Sequence, residues 1–265
     1  QSIHDLCKLE DPDRYTVAVN GYGHADHPVN QNADIQGMNR YFGWYERKIQ
    51  DIKPWIEKME KEYPWQRLML TEYGADANIE HQTEILGDAL NWTSPFYPET
   101  FQTKTHEYQW SIIAQHPYII ASYLWNMFDF AADARDQGGE PGMNHKGLVT
   151  FDRKTKKDSF YLYKAWWSDE AFVHICSKRF VERTGSTATV KVYSNQSTVA
   201  LYVNGNKVGE QTGEHVFTFK VPLNGELHIQ AVAGDRTDES VIRHVDTPNP
   251  EYKLHKTKSK SANWV

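Results

Sequence analysis

The stretch Leu68-Met69-Leu70-Thr71-Glu72-Tyr73-Gly74-Ala75-Asp76 decides the fold of this chain and indicates where its chemistry lies. Its first four residues form a mostly apolar, β-compatible run, which is typical of a buried strand, and the run ends at a carboxylate, an aromatic ring and a glycine. In parallel α/β sheets and barrels, catalytic side chains stand at the carboxyl ends of the strands. Glu72 is therefore either a catalytic carboxylate or a group that caps a helix or pairs with an arginine.

Short strands followed by polar and aromatic residues recur on both sides of this stretch. The predicted strands cover residues 15–19, 34–38, 68–71 and 118–125. A helix with one buried face is predicted between the second and third strands, because apolar residues recur there at spacings of three and four: Ile49, Ile52, Ile56, Met59 and Tyr63. A second helix is predicted at about residues 103–115.

Strands that alternate with helices predict a parallel sheet. Polar residues after every strand are typical of the loop face of a (β/α)₈ barrel, which needs eight strands. Since residues 1–168 supply four, we predict the second half of a TIM barrel there, and we expect the first half of the barrel to precede Gln1.

The pattern changes after residue 168. Short runs with period-two alternation occur at residues 172–178, 187–193, 198–203, 216–221, 227–232 and 241–245. Asn204-Gly205 indicates a type I′ hairpin, and Asn224-Gly225 is a candidate for another. The spacing predicts an all-β immunoglobulin-like sandwich over residues 169–247, which serves packing or contacts carbohydrate. Residues 248–265, which are lysine-rich, are predicted to form an extended tail.

Composition limits the partners of the chain. The 265 residues carry a net charge of −6 without a basic stripe, which argues against nucleic acid. No apolar run reaches the length of about 18 residues that a membrane span requires. The nine Trp, fifteen Tyr and eleven Phe must largely fill the core, but aromatic faces also suit sugars.

No metal or cofactor is predicted. Cys7 and Cys176 lie far apart and lack C-x-x-C spacing. His24-Ala25-Asp26-His27 has metal-binding side chains but lacks the i, i+4 spacing of helical zinc motifs, so we expect it to line a loop or contact substrate. The acidic, glycine-rich segment at 133–140 has no calcium-loop register and is predicted to be a loop at the mouth of a site.

Four motifs, in matching order, resemble glycoside hydrolase family 2, the β-galactosidase and β-glucuronidase group. They are Asn39-Arg40-Tyr41-Phe42-Gly43-Trp44-Tyr45, Thr71-Glu72-Tyr73-Gly74-Ala75, Trp125-Asn126-Met127-Phe128-Asp129-Phe130 and Asn144-His145-Lys146-Gly147-Leu148-Val149-Thr150. The resemblance implies a fragment of a retaining exo-β-glycosidase that hydrolyses terminal β-D-galactosides. The alternatives are a β-glucuronidase and a non-catalytic carbohydrate-binding fragment. The implied partner is a β-linked sugar or oligosaccharide.

The resemblance also implies roles for individual residues. Glu72 occupies the position of the nucleophile, and Tyr41 that of the tyrosine whose hydroxyl contacts it. Trp125 matches the tryptophan that floors the sugar site, and Asn126 and Asp129 are expected to donate or accept hydrogen bonds there or to support it. The remaining expected substrate-binding residues are Asn39, Tyr45, Asn144 and Lys146. In the β-glucuronidase branch, a motif of the form Asn144-x-Lys146 and a tyrosine such as Tyr45 read the sugar carboxylate.

One family element has no counterpart in this chain. The family's acid/base is a glutamate that follows an asparagine, and no Asn-Glu pair occurs here, so we expect the acid/base upstream of Gln1. We therefore expect the isolated chain to be inactive. Because half a barrel leaves two strand edges open, we also expect it to pair with the missing N-terminal part, to pair with a second copy, or to rearrange in that region. A periplasmic or extracellular location is expected by analogy.

Overall fold

A computed structural model describes residues 2–20, 24–137 and 140–253. Two compact units are interleaved along the sequence. Unit 1 comprises residues 1–75, 87–92 and 104–127, and unit 2 comprises residues 76–86, 93–103 and 128–265. Residues 21–23 of the loop after the first predicted strand, residues 138 and 139 of the acidic segment, and residues 254–265 of the predicted tail lie outside the described residues. The predicted boundary at residue 168, between the half-barrel and the sandwich, stays a prediction.

The described helices and strands follow the predicted order. The helices are α1 (Ser2–Glu10), α2 (Ile52–Glu62), α3 (Glu99–Ile113) and α4 (Asp158–Trp167). The strands up to α4 are β1 (Val17–Asn20), β2 (Ile35–Asn39), β3 (Leu68–Glu72), β4 (Ile119–Ser122), β5 (Phe130–Ala131) and β6 (Met143–Asn144). The later strands are β7 (Val173–Ile175), β8 (Glu182–Arg183), β9 (Thr187–Ser194), β10 (Thr198–Val203), β11 (Asn206–Thr212), β12 (His215–Pro222), β13 (Glu226–Ala233) and β14 (Arg236–His244).

Unit 1 contains a four-stranded parallel sheet with the strand order β1-β2-β3-β4. Its central strands are apolar because both faces are covered, and Met38, Leu68 and Leu70 have no exposed side-chain surface. The predicted fourth strand was too long, since β4 ends at Ser122. The chain nevertheless continues beside β3, because the Trp125 N–H donates to the Tyr73 carbonyl (2.9 Å).

The helices confirm the predicted periodicity and extend one prediction. In α2, Ile52, Ile56 and Met59 are buried, as a helix with one apolar face requires. Helix α3 begins four residues earlier than predicted, at Glu99. The Glu99 carboxylate is buried in unit 2, where it accepts from the Asp158 N–H (2.8 Å) and pairs with Arg179. This long-range contact explains why local sequence did not indicate the helix start.

Strands β1 and β4 form the two edges of the sheet, as expected. Apolar side chains are exposed along both edges, with Val19 59% and Ile120 48% exposed. Helix α1 buries no residue. A four-stranded parallel sheet with exposed apolar edges agrees with half of a (β/α)₈ barrel, and the half-barrel stays a prediction. No helix in the described part of the chain combines the length and apolarity that a bilayer crossing requires.

Besides the short antiparallel pair β5-β6, unit 2 contains two larger, mainly antiparallel sheets, with strand orders β11-β10-β13-β14-β8 and β12-β9-β7. Buried and exposed residues alternate along β12, where Phe217, Phe219 and Val221 are buried and their neighbours are exposed. The inward residues of both sheets belong to one apolar cluster. The predicted all-β region is therefore present, and its assignment as immunoglobulin-like stays a prediction.

The turns and edges of this region confirm one sequence prediction and correct others. Asn204 and Gly205 have φ of 50° and 80° and join β10 to β11, as predicted for a type I′ hairpin. Asn224-Gly225 does not make a hairpin, since β12 and β13 belong to different sheets. Strands β8 and β11 were not predicted. The polar sequence of β11 suits its position at a sheet edge, where charged residues discourage unwanted pairing.

The predicted extended tail begins with a packed turn. Residues Pro250–Tyr252 form a 3₁₀ helix. The Tyr252 hydroxyl oxygen accepts from the Glu182 N–H (3.0 Å), and its ring packs edge-on against Phe180. These contacts place the start of the tail on unit 2 and correct the expectation of an extended segment at residues 248–253.

Candidate active site

Glu72 and Tyr41 form a direct contact in unit 1. Glu72 ends β3, and the Tyr41 hydroxyl donates to Glu72 Oε2 over 2.5 Å. The Tyr41 backbone is held by Glu46, whose Oε1 accepts from the Tyr41 N–H (3.0 Å), and the Arg40 N–H donates to the Glu72 carbonyl (2.8 Å). A phenol that donates to a carboxylate makes a strong, charge-assisted hydrogen bond, which fixes the orientation of that carboxylate.

Aromatic rings surround this pair. Tyr45 packs edge-on against Tyr41, with ring centroids 5.2 Å apart, and Trp92 packs edge-on against Tyr45 at 5.6 Å. Tyr45 and Trp92 are half-buried. Trp92 is a neighbour of the site that sequence reasoning did not assign, and its position in a long irregular loop supplied no periodic signal. The cluster provides flat apolar faces next to a carboxylate, which suits a sugar ring.

Asn39 is engaged in a contact between strand ends. Its Oδ1 accepts from the Thr71 hydroxyl over 2.7 Å, which ties the end of β2 to the end of β3. The two strands approach closely, since a Cβ added at Gly37 would lie 2.8 Å from Thr71 Cγ2. Asn39 therefore helps to set the position of the strand end that carries Glu72, beside any contact with substrate.

Trp125 and Asn126 lie where the chain leaves β4, and the peptide bond between them is cis. Gly74 has φ of +142°, and a Cβ there would lie 2.9 Å from the Trp125 carbonyl oxygen, so glycine permits this approach. Asn126 Oδ1 is buried without a hydrogen-bond partner among the described residues. His106, whose ring lies 5.9 Å from that of Tyr73, is a further neighbour that no motif indicated.

Lys146 belongs to a buried ion-pair cluster in unit 2. Its Nζ lies 2.5 Å from Asp76 Oδ2, and Arg135 reaches the same oxygen at 3.3 Å. Asp76 also accepts from the His145 N–H (2.8 Å). Burial acts to raise the pKa of Asp76, but the Lys146 and Arg135 charges outweigh it and hold the pKa below its usual value. Asp76 and Arg135 were not predicted as site residues.

Asp129 supports the loop that carries Asn144 and Lys146. Its Oδ1 accepts from the Gly147 N–H (2.9 Å) and from Lys157 Nζ (2.8 Å). Lys157 also donates to the His145 carbonyl (2.8 Å), and its burial lowers its pKa despite the Asp129 charge. Asn144 Oδ1 accepts from the Lys146 N–H (3.0 Å). Asp129 is 3% exposed, which agrees with the expected supporting role.

The predicted residues thus fall into two sets, and their catalytic and binding roles stay proposals. Unit 1 holds Asn39, Tyr41, Tyr45, Glu72, Trp125 and Asn126. Unit 2 holds Asp129, Asn144 and Lys146. Within each set, the hydrogen bonds above join side chains that are far apart in sequence, and Glu72 with Tyr41 is the pair with the clearest chemical meaning.

One trio in the described part of the chain has donor atoms close enough to share a metal ion: Asp158, His174 and Cys176. Both Asp158 oxygens are already engaged, Oδ1 with His174 Nε2 (2.9 Å) and Oδ2 with the Ser177 N–H (2.7 Å). We interpret the trio as an interior contact between α4 and β7. In the predicted loop at 24–27, His27 Nδ1 accepts from the Val29 N–H and caps a short 3₁₀ helix.

Comparisons with known proteins give one domain family and several named β-glycosidases. A family model described as a domain of unknown function, DUF4982, matches residues 185–238. A β-glucuronidase of Bacteroides fragilis is 36% identical over 217 residues, which cover 81% of this chain and 30% of that protein. A second curated relative, from Formosa agariphila, is 29% identical over 78% of this chain and 27% of its own length.

Solved structures extend the likeness over nearly the whole chain. A crystal structure of a Bacteroides fragilis protein provisionally named a β-galactosidase is 62% identical, has a TM-score of 0.87, and matches 92% of this chain and 37% of its own. An FMN-binding β-glucuronidase from Facaelibacterium prausnitzii L2-6 is 41% identical, has a TM-score of 0.90, and matches 96% of this chain and 39% of its own. This chain thus spans well under half the length of the proteins it matches.

Proposed function

Because the homologues of this chain are β-glucuronidases and β-galactosidases of the glycoside hydrolase family 2 type, we propose that it is part of a retaining exo-β-glycosidase with Glu72 as the nucleophile. The observation that carries the proposal is the hydrogen bond from Tyr41 to Glu72 at the carboxyl end of β3. A nucleophilic carboxylate must be oriented and ionised, and a phenol donor supports both.

In the proposed mechanism, the Glu72 carboxylate attacks the anomeric carbon while the glycosidic C–O bond breaks. A second carboxylic acid gives its proton to the leaving oxygen, and the two carboxyls of retaining enzymes lie about 5–5.5 Å apart. The same group then deprotonates a water molecule, which displaces Glu72 and releases the sugar with its configuration retained. We expect this acid/base outside the present chain. Tyr41 holds one Glu72 oxygen while the other attacks.

Two sugars are candidates for the substrate. A galactoside is favoured by the name of the 62% identical structure. A glucuronide is favoured by the names of the curated Bacteroides fragilis relative and of the Facaelibacterium structure. It is also favoured by the Asn144-x-Lys146 motif, since an ammonium bonds more strongly to a sugar carboxylate, where both partners are charged, than to a neutral hydroxymethyl group. Between the two, we now place the glucuronide first.

The test of the sugar is a comparison of kcat/KM for nitrophenyl β-galactoside and nitrophenyl β-glucuronide with the full-length protein and with Lys146→Met. We expect the variant to lose mainly glucuronide turnover. Lys154→Met, at a side chain that is 82% exposed, is the matched control and should leave both rates unchanged. An equal loss on both sugars would show that Lys146 acts through its ion pair with Asp76 instead of reading the carboxylate.

The test of the nucleophile is covalent trapping. A 2-fluoro glycoside with a good leaving group should accumulate as a glycosyl-enzyme in the full-length protein. The fluorine slows both formation and hydrolysis of this intermediate, but the good leaving group speeds only its formation. Peptide mass spectrometry should place the label on the peptide that contains Thr71, Glu72 and Tyr73. A label on another carboxylate would refute the assignment.

The alternative is a non-catalytic carbohydrate-binding role for this chain on its own. The purified chain should be assayed on an activated glycoside while its mass is measured by light scattering. We expect no turnover, and association through the exposed edges β1 and β4. Robust turnover by a monomer would contradict both expectations.

One relative is named as an FMN-binding enzyme, which raises the question of whether this chain could bind FMN. A cleft in unit 2 offers cationic and hydroxyl donors, including Arg183, Lys191 and Ser177, and encloses about 230 Å³. That volume lies below the roughly 300 Å³ at which pockets for drug-sized ligands begin. Arg183 is also paired with Glu84 at 2.9 Å. This cleft does not fit a complete FMN, and the proposed reaction uses no flavin.

A further inference from the structure

Unit 2 contains an open cleft of about 560 Å³, whose lining shares only Asp129 with the residues expected at the sugar site. Three loops form its walls, at residues 78–80, 140–145 and 150–155. The volume lies within the roughly 300–1,000 Å³ typical of small-molecule sites. We call it the His145 cleft, because His145 has the most unusual environment among the side chains that line it.

The His145 ring is fixed in place but chemically unsatisfied. The residue is 6% exposed, and its backbone is held on both sides, since its N–H donates to Asp76 and its carbonyl accepts from Lys157 and from the Ala77 N–H. Nε2 is buried without a hydrogen-bond partner among the described residues. Its separation from Glu140 Oε2, 3.9 Å, exceeds a hydrogen bond. A ligand hydroxyl that reached Nε2 would satisfy a group whose isolation is costly.

The rest of the lining is rich in acceptors and has one exposed ring. Glu80, Asp129, Glu140 and Asp152 supply carboxylates, and Phe151 is 53% exposed. The loop that carries Phe151 is well held, because the Thr150 hydroxyl donates to Asp152 Oδ1 (2.7 Å) and accepts from the Thr155 N–H (3.1 Å). Carboxylates accept hydrogen bonds from sugar hydroxyls, while an aromatic face packs against the C–H groups of a sugar ring.

We propose that the His145 cleft binds an uncharged sugar ring. The ring packs on Phe151, its hydroxyls donate to the carboxylates of the rim, and one hydroxyl pairs with His145 Nε2. The carboxylates of the lining repel an acidic sugar or a phosphate, so the site prefers neutral sugars. The inference stands on the cleft alone and does not depend on Glu72 being a nucleophile, since it names a binding site and no reaction.

The experiment is a titration of the 265-residue chain with lactose, and separately with glucuronic acid. Binding is measured by isothermal titration calorimetry and by ligand-observed NMR. Lactose should bind in a way that depends on Phe151, whereas any binding of glucuronic acid, including binding at Lys146, should be the same for the parent chain and for Phe151→Ala. Phe151→Ala should weaken lactose binding roughly fivefold or more, because a stacking face is lost. His145→Phe, which keeps a ring and removes both nitrogens, should weaken it as well.

Trp65→Ala removes a ring that is 72% exposed in unit 1 and is the matched control, with unchanged binding expected. Phe151 lies on the surface, so its variant tests the cleft even if His145→Phe fails to fold. The proposal is overturned if lactose does not bind, if Phe151→Ala binds lactose normally, or if Phe151→Ala weakens the binding of glucuronic acid as much as that of lactose. Binding of Zn²⁺ or Mn²⁺ that requires His145, without sugar binding, would also overturn it. Covalent trapping at Glu72 has an independent outcome.

Discussion

The parallel sheet of unit 1 and the paired sheets of unit 2 bury their strands in different ways. In β3, Leu68 and Leu70 are fully buried, and polarity begins only at the strand end with Thr71 and Glu72. In β12, buried and exposed residues alternate along the whole strand. The apolar cluster between the sheets of unit 2 contains no titratable residue.

Because of this difference, we expect the end of β3 to serve catalysis and the sheets of unit 2 to serve stability. A strand inside a parallel sheet that is apolar until its last residues presents a functional group where it ends, and at the end of β3 a carboxylate meets a tyrosine. The alternating strands use every second residue for packing and the others for solvent, and their cluster makes a stable body. Changes in the two regions should therefore have different consequences, the first for rate and the second for folding.

The largest effect is expected at Glu72. In the full-length protein, Glu72→Gln should lower kcat by several orders of magnitude, because covalent catalysis is lost while the side-chain volume is kept. The melting temperature should change little. Glu57→Gln, at a carboxylate on α2 that is 49% exposed, is the matched control and should keep full activity. A near-normal rate for Glu72→Gln would show that the end of β3 is not a catalytic position, and the two regions would then not differ in the way described.

The next effect is expected in the sheets of unit 2. Phe217→Ala should destabilise the fold by about 3–5 kcal/mol, since it deletes a large side chain that is 1% exposed. Chemical denaturation would measure this, and kcat per folded molecule should be unchanged. Val208→Ala, at a side chain that is 51% exposed on β11, should cost less than about 0.5 kcal/mol. A loss of kcat without a loss of stability would mean that these sheets take part in catalysis.

A smaller effect is expected at Tyr41. Tyr41→Phe removes the hydroxyl that donates to Glu72 and keeps the ring that packs on Tyr45. A hydrogen bond to a charged group contributes about 1.5–3 kcal/mol, so kcat should fall by roughly tenfold to a hundredfold with little change in melting temperature. A kcat for Tyr41→Phe close to that of the parent would assign Tyr41 a packing role.

The features that could be predicted from sequence are those set by local patterns. The end of β3 at Glu72, the buried face of α2 and the hairpin at Asn204-Gly205 each follow from a short run of residues. The contact between Tyr41 and Glu72 was also expected, but it required the family resemblance, since no spacing rule joins two strand ends. What these residues do in catalysis is still a proposal.

The features that escaped prediction depend on long-range pairing. Asp76 meets Lys146 and Arg135, and Lys157 meets Asp129, through side chains that lie far apart in sequence. In the sequence, a lysine that is fully buried cannot be distinguished from a surface lysine until its partner is known. Asn224-Gly225 shows the same limit for turns, because a turn dipeptide does not say whether the strands on either side share a sheet.

The smallest effect concerns acid and the polar part of unit 2. His81 has no exposed surface, its Nδ1 accepts from the Tyr97 N–H (2.8 Å), and burial followed by the charge of His145 lowers its pKa from 6.5 to about 4. Between these values the folded state keeps His81 neutral while the unfolded state binds a proton. Unfolding therefore takes up a proton, and stability should fall as the pH falls from 6.5 toward 4.

For one proton this slope is at most about 1.4 kcal/mol per pH unit, and urea unfolding at about pH 7 and about pH 5 would measure it. His81→Gln, whose amide oxygen can still accept from Tyr97, should flatten the dependence. His228→Gln is the control, because that histidine is 70% exposed on β13 and should leave the slope unchanged. Equal acid slopes for the parent chain and His81→Gln would show that the sensitivity lies elsewhere. Since the apolar cluster of the paired sheets has no titratable group, their resistance to acid should exceed that of the segment around His81.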